Sequence, residues 1–353
     1  MSILVTGGAG FIGSNFVLRW LEQTDEPIVN LDKLTYAGHA GNLESVRGDP
    51  RHQLVQGDIA DHALVARLLR THRPRAVLNF AAESHVDRAI RTPGAFIHTN
   101  VTGTFQLLEA VRTYWLSLDD AARAGFRYLQ VSTDEVYGSL EPDAPPAAEG
   151  DVYRPNNPYS ASKAAGDHLA RAYWQTYGLP VLTTHCPNNY GPRQYPEKLI
   201  PLLIHHALAG RPLPLYGDGS HVRDWLYVDD HCDGLRRVLE GGEPGQAYHI
   251  GANQERSNLQ VARAVCALLD AWRPRADHRP HDELICFVQD RPGHDRRYGI
   301  DAGKIRRELR WQPMHDFDTG LRATVQWYLD HPDWVAGVAG GAYRHWLQTQ
   351  YAP

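Results

Sequence analysis

Long apolar runs are missing from this chain: none approaches the ~18 residues of a membrane span. The opening Met1-Ser2-Ile3-Leu4-Val5 also carries no charged n-region or apolar h-region of a signal peptide. A cytoplasmic protein with no membrane partner is the expectation. Cysteine is scarce, and Cys186, Cys232, Cys266 and Cys286 stand too far apart for a metal-ligand spacing, so reduced, mostly buried thiols are expected. Neither sign of charge dominates. With 36 Lys and Arg against 41 Asp and Glu the formal net charge is −5, and without a basic stripe or a charged tail no nucleic-acid partner is expected. The 19 histidines are scattered, which supports no metal site, and no repeat or low-complexity tract occurs.

What is present points to a small-molecule enzyme. At 353 residues the chain exceeds the usual single-domain size, so two lobes with a cleft between them are expected. Ile3 to Thr6 reads as a buried strand. Gly7, Gly10 and Gly13 follow as Gly-x-x-Gly-x-x-Gly, before a helix expected over 14–22. Glycines at such a turn let the backbone approach a pyrophosphate and leave a helix N-terminus aimed at its charge, although a tight strand-to-helix turn without a ligand would need much the same residues. A second strand, 28–31, ends at Asp32, about twenty residues beyond the glycines, where a carboxylate accepts from an adenosine ribose hydroxyl. It would repel a 2′-phosphate, which favours NAD over NADP, and Lys33 beside it pulls the other way. Strands at 53–56 and 76–80 follow; the first leads to Asp58 and the second to the small residues Ala81 and Ala82. A helix is expected over 100–114 with Thr99 at its start. Strands alternating with helices give a doubly wound, Rossmann-type parallel sheet. The NAD-binding domain is placed at 1–186 with a return segment at about 225–250. Beyond 186 prolines become frequent, and 187–353 is read mainly as a smaller mixed lobe that binds substrate.

The chemistry centres on Ser132-Thr133-Asp134-Glu135-Val136-Tyr137-Gly138, at the end of an apolar run, and on Tyr159-Ser160-Ala161-Ser162-Lys163. Ligands bind at the carboxyl ends of strands in such sheets. Tyr159 and Lys163 are spaced i, i+4 on one helix face, and an ammonium beside a phenol favours the phenolate, so Tyr159 is the candidate base and Thr133 a second contact to the same substrate oxygen. Hydride transfer alone does not need Asp134-Glu135. Elimination of water does, because one group removes a carbon-bound proton and another protonates the departing hydroxyl. Acidic decoration of a helix N-terminus is the plainer account of the same pair. Neighbours on a regular strand face opposite ways, so both carboxyls reach one substrate only if the strand has ended before them.

These residues resemble the extended short-chain dehydrogenase/reductase superfamily and, within it, the dTDP-glucose 4,6-dehydratase family. The likeness runs nearly end to end, through Leu31 to Gly38, Ala81 to Arg88, Ser132 to Gly138, Asn188 to Pro192, Pro196 to Pro201, Arg223-Asp224-Trp225 and Asp290 to Asp295. It implies oxidation at carbon 4 of the sugar by a tightly bound NAD that is regenerated each turnover. Thr133, Tyr159 and Lys163 serve that step, Glu135 takes the proton at carbon 5, and Asp134 protonates the hydroxyl leaving carbon 6. It implies NAD contacts at Phe11, Ile12, Asp32, Lys33, Leu34, Thr35, Asp58, Ile59, Phe80 to Ser84, Thr99 and Asn189. Nucleotide-sugar contacts are implied at Ser84, Thr133, Asn188, Lys198, Leu199, Pro214, Leu215, Tyr216, Arg223, Asn258, Asp290, Arg291, Pro292, Gly293 and His294. Arg223, Arg291 and Lys198 suit a diphosphate chemically. A homodimer through a four-helix contact follows by the same likeness.

Three departures concern loop shape: Pro187 in place of a small hydroxyl residue, His39-Ala40-Gly41 as a short insertion, and Arg193 in place of an aromatic residue. A 4-epimerase, a dehydratase of another nucleotide sugar and a non-catalytic NAD-binding protein are the alternatives. Physics alone does not choose between dTDP, UDP and CDP.

Overall fold

The computed structural model describes residues 2–338 and Gly340. Twelve strands occur among them, in chain order β1 Ile3–Thr6, β2 Ile28–Asp32, β3 His52–Gln56, β4 Ala76–Asn79, β5 Arg127–Thr133, β6 Val181–Cys186, β7 Asn188–Tyr190, β8 Leu213–Tyr216, β9 Val222–Tyr227, β10 Ala247–His249, β11 Glu255–Ser257 and β12 Ile285–Val288. A seven-stranded sheet in the order β10-β6-β5-β4-β1-β2-β3 forms the centre, and every pairing in it is parallel. The order reverses between β1 and β4, and the crevice at such a switch point is where ligands bind.

Period-two alternation explains how each strand feeds two cores. In β1, Ile3 and Val5 pack with Phe16, Val17 and Trp20 of the helix Phe11–Gln23, while Leu4 faces Val65, Leu69, Leu107 and Val111 on the other side. Both faces are therefore covered, as a parallel sheet requires.

The second lobe is built on a sheet in the order β11-β9-β7 and a pair β12-β8, with the helices Leu199–Leu208, Asn258–Trp272 and Phe317–Asp330 closing a third core around Tyr190, Leu203, Val265 and Leu321. The segment expected to return to the first lobe is split. Trp225 to Tyr227 stays in β9, paired with β7; the helix Val228–Gly241 then crosses back and β10 adds to β6. A later return, Ala302 to Trp311, packs in the first lobe's core beside Leu235 and Ile250. The part of the expected second lobe beyond 338 lies outside the described residues, Gly340 apart. Among the described residues no helix is long and apolar enough to cross a membrane.

Two helix starts differ from the sequence expectation. The first helix begins at Phe11, not Ser14, because Gly10 is its N-cap and Gly13 lies in its first turn. A Cβ at Gly13 would come 2.3 Å from the Gly7 carbonyl oxygen, so the third glycine serves close packing of helix on turn. Thr99 does not start a helix either. Pro93–Phe96 is already helical, Ile97–Gly103 continues as a π-helix and Thr104–Leu116 as an α-helix. Pro93 at the first helical position sets the start. The wide turn puts Asn100 against the chain after β4, where its Oδ1 accepts from Glu83 N at 2.9 Å and its Nδ2 donates to Glu83 O at 2.9 Å and to Ser162 Oγ at 2.8 Å.

Candidate active site

Strand β5 runs through Thr133, and the chain then turns into a 3₁₀ helix, Asp134–Tyr137, that Gly138 ends at φ +80°. That break meets the condition for both carboxyls to serve one cleft. Asp134 and Glu135 line it together with Thr133, Tyr159 and Lys163. The helix Pro158–Tyr177 delivers the last two; Asn157 caps it by accepting from Ser160 N at 2.9 Å.

The environments of the two acids differ. Asp134 is 2 % exposed, its Oδ2 has no hydrogen-bond partner among the described residues, and Thr133 Oγ1 donates to its Oδ1 at 3.3 Å. Burial, and after it the charge of Glu135, pushes its carboxyl well above the usual range. Glu135 is half-buried, within 3.5 Å of Tyr298 OH, and its charge acts on Lys198, Arg223 and Arg291.

The expected effect of Lys163 on the Tyr159 phenol is not found. Lys163 Nζ donates to Val131 O at 2.7 Å, and burial lowers its pKa. Burial, then the charge of Glu135, pushes the phenol well above its usual value, with a hydrogen bond to Thr133 opposing. The charges of Glu135 and Asp134 both act against ionisation of the phenol, and the ammonium is committed to a strand carbonyl.

The expected cofactor positions come together. Gly7, Gly10, Phe11, Ile12, Gly13, Asp32, Lys33, Thr35, Asp58, Ile59, Phe80, Ala81, Ala82, Ser84, Thr99 and Asn189 line the same cleft; Leu34 does not. Leu34 turns at φ +55° and donates its N–H to Asp32 Oδ1 at 2.8 Å, while Ala9 N donates to Asp32 Oδ2 at 2.8 Å. The residues fit NAD. Gly10 offers no side-chain cap to the first helix, so its first-turn amides are free for a phosphate. A Cβ at Gly7 would meet Ala81 N at 2.6 Å, and no bulkier turn would let chain and pyrophosphate pass. Lys33 Nζ pairs with Asp58 at 2.7 Å, which takes up the charge that could have met a 2′-phosphate.

Of the expected sugar-nucleotide positions, Ser84, Asn188 and Lys198 line the cleft as Thr133 does; Leu199, Pro214 to Tyr216, Arg223, Asn258 and Asp290 to His294 lie outside its lining. Lys198 Nζ donates to Ser84 O at 2.8 Å. Leu199 and Asn258 begin helices, and Pro214 to Tyr216 lie in β8. Arg223 is buried, donating to Val222 O at 2.7 Å, Asp295 O at 2.8 Å and Arg296 O at 3.2 Å, so much of its hydrogen-bonding capacity holds backbone. Arg291 pairs with Asp87 at 3.2 Å, and Tyr216 OH donates to the same carboxylate at 3.0 Å. His221, Asp290 and His294 bring one donor atom each within 4.8 Å of the others. Arg223 and Arg291 act on both imidazoles, a positive field that opposes a cation there.

Several lining residues escaped the sequence reading, among them Cys186, Gln194, Tyr195 and Glu197. Glu197 is 5 % exposed and pairs with Arg88 at 3.2 Å; burial pushes its carboxyl up to about 7. Its position inside Pro196 to Pro201 was the available signal. All four cysteines are free, but Cys286 is only half-buried. Among the loop departures, Pro187 lines the cleft and its carbonyl accepts from Asn189 Nδ2 at 3.0 Å. His39 caps a short 3₁₀ helix by accepting from Gly41 N at 3.1 Å. Arg193 turns at φ +67° and stacks 5.5 Å over Trp327.

The family profile described as GDP-mannose 4,6 dehydratase matches residues 4–324. A dTDP-glucose 4,6-dehydratase of Xanthomonas campestris pv. campestris (strain B100) is 60% identical over 341 residues, 97% of this chain and 97% of that one. Among solved structures, the dTDP-glucose 4,6-dehydratase of Streptomyces venezuelae with NAD bound superposes with a TM-score of 0.87 at 45% identity, covering 96% of this chain and 100% of that one. A UDP-glucose 4-epimerase of Thermotoga maritima reaches a TM-score of 0.82 at 26% identity, covering 94% and 100%. The fold alone therefore does not separate dehydratase from epimerase, whereas the sequence relationship does. The chain belongs to the GDP-mannose 4,6 dehydratase family, which has the short-chain dehydrogenase/reductase fold, on the branch of the dTDP-glucose 4,6-dehydratases.

Proposed function

We infer that the chain catalyses the NAD-dependent dehydration of dTDP-glucose to dTDP-4-keto-6-deoxyglucose, a hydro-lyase reaction that opens deoxysugar synthesis. The observation that carries this is the placement of Asp134 and Glu135 on one 3₁₀ turn beside Thr133 and Tyr159, with Asp134 buried where a carboxyl keeps its proton. Bound NAD supplies the hydride acceptor at carbon 4 and the hydride donor at carbon 6. Tyr159, hydrogen-bonded to Thr133, takes the carbon 4 hydroxyl proton. The ketone so formed acidifies the proton at carbon 5, which Glu135 removes. Asp134 gives its proton to the hydroxyl leaving carbon 6 as water. Glu135 then returns a proton to carbon 5 as hydride reaches carbon 6, so no net oxidation remains.

Asp32 favours NAD over NADP, since both its oxygens are fixed by backbone amides and its charge faces the cleft. Residues 1–186 with about 225–250 serve as the NAD-binding unit and 187–353 mainly as the sugar-nucleotide lobe, with Lys198, Arg223 and Arg291 as its cations. A cytoplasmic homodimer suits the chain. The helices Thr104–Leu116 and Pro158–Tyr177 pack together, and Ile97, Phe105, Leu116 and Tyr177 on the helices leave 40–50 % of their surface exposed, an apolar patch that a second copy would cover.

The test is reaction of the purified protein with dTDP-glucose in deuterium oxide without added NAD, followed by mass spectrometry. Loss of one water with deuterium at carbon 5 is expected. An isomer of unchanged composition would favour the epimerase, and unchanged substrate even with added NAD would point to another nucleotide sugar.

A further inference from the structure

Asp167 is a buried carboxylate that the cycle above leaves unused. It lies one helical turn after Lys163 on the helix that packs against β5 and β6, so the two side chains share a face. Its exposure is 4 %. Ser132 Oγ, beside Thr133 at the end of β5, donates to Asp167 Oδ2 at 2.6 Å. Tyr153 OH reaches the same oxygen at 3.4 Å, and His185 Nε2 stands 3.4 Å from it. Oδ1 is buried with no hydrogen-bond partner among the described residues. A buried carboxylate needs a compensating cation. Among the described residues His185 is the cation-capable side chain within 4 Å of the carboxylate; Lys163, one helical turn away, bonds Val131 O while Asp167 bonds the next residue of β5, Ser132, so the two side chains grip neighbouring residues of one strand. Lys163 has the converse difficulty. Burial disfavours its ammonium, and Asp167 is the first charge opposing that, followed by Cys186.

The other titratable groups around the pair do not replace this partnership. Tyr128 of β5, Tyr137 of the 3₁₀ turn and Tyr153 of the next loop are pushed up by burial, with the Asp167 charge adding to it, and stay neutral phenols. Tyr137 and Tyr153 also bond His249 of β10 at 2.8 Å and His185 of β6 at 2.7 Å. Burial holds His249 neutral and Cys186 a thiol. Asp134 and Glu135 line the substrate cleft.

We propose that Asp167 is a positioning residue: anchored by Ser132, its carboxylate keeps Lys163 charged beside Tyr159 and fixes the strand end from which Thr133 projects. The proposal rests on the role given above to Tyr159 as the base at carbon 4, with Lys163 on the same helix face. Asp167→Asn keeps an acceptor for Ser132 and removes the charge. Lys163 then loses its proton at lower pH.

The experiment measures, across pH 6 to 10, the rate at which the bound NAD is reduced on mixing with dTDP-glucose. In Asp167→Asn the alkaline limb moves to lower pH by about one unit or more, a tenfold loss at fixed alkaline pH. Ser132→Ala keeps the charge and leaves that limb in place, and Asp167→Glu restores it. Asp167→Ser, also neutral, reads the same limb should the asparagine variant not fold. A neutral variant whose alkaline limb coincides with that of the parent, with a rate lowered evenly at all pH values, would overturn the proposal and leave Asp167 a packing residue. Rapid NAD reduction by Tyr159→Phe in the same assay would instead overturn the acid-base assignment on which it rests.

Discussion

Asp134 and Glu135 are adjacent in the chain and unlike in their surroundings, and the division of work proposed for them rests on that difference. A carboxyl with one oxygen buried and unpaired holds its proton; in the proposed cycle its half-buried neighbour takes the one from carbon. Glu135→Gln should therefore still reduce the bound NAD on adding substrate and then stall, with product formation down by about 10³-fold. Turnover near the parent rate would remove Glu135 from the eliminating step. Tyr159→Phe should block earlier, leaving NAD oxidised, with a loss of about 10²–10⁴-fold in the rate of its reduction. The residue types and their order were legible in the sequence. The sign of the Tyr159 shift was not, because spacing i, i+4 puts Lys163 on the right face but does not say that its ammonium goes to Val131 O.

The 3₁₀ turn Asp134–Tyr137 is the element on which the pair depends, and Gly138 pins it. A Cβ there would come 2.2 Å from the Arg154 carbonyl oxygen, at a φ of +80° that L side chains rarely adopt. Gly138→Ala should cost on the order of 2 kcal/mol or more of stability and reduce kcat by shifting both carboxyls. Thermal unfolding and kcat read the two effects, and an unchanged Tm with unchanged kcat would mean that the turn is not pinned there. The sequence announced this break through its glycine. It did not announce the π-helix Ile97–Gly103, since a 3.6-residue period drawn through Asn100 to Tyr114 hides a turn with a different period. The cost of that error is local: Thr99 still lines the cleft, but as the inner wall of a helix that starts at Pro93.

For the whole molecule, the proposed dimer is tested by charge at its patch. Light scattering should give a dimer for the parent and a monomer for Phe105→Glu combined with Leu116→Glu, two positions 40 % and 50 % exposed in the single chain. A parent that is monomeric at every concentration would sink that assembly. The parallel class of the sheet, the glycine turn and the strand ending at Thr133 could be read from the chain because each has a local signal: apolar runs decide a strand, a glycine decides a turn, and strands alternating with helices favour a doubly wound parallel sheet. The second lobe could not be read so well, since its short strands pair β8 with β12 and β9 with both β7 and β11 across long stretches of sequence. By itself the sequence determined which candidate proton-handling groups stand together and at which edge of the sheet. Only the tertiary structure decided their charge states and partners. Burial of Asp134, the diversion of Lys163 to a carbonyl and the pairing of Lys33 with Asp58 depend on distances between residues that the chain brings together only on folding.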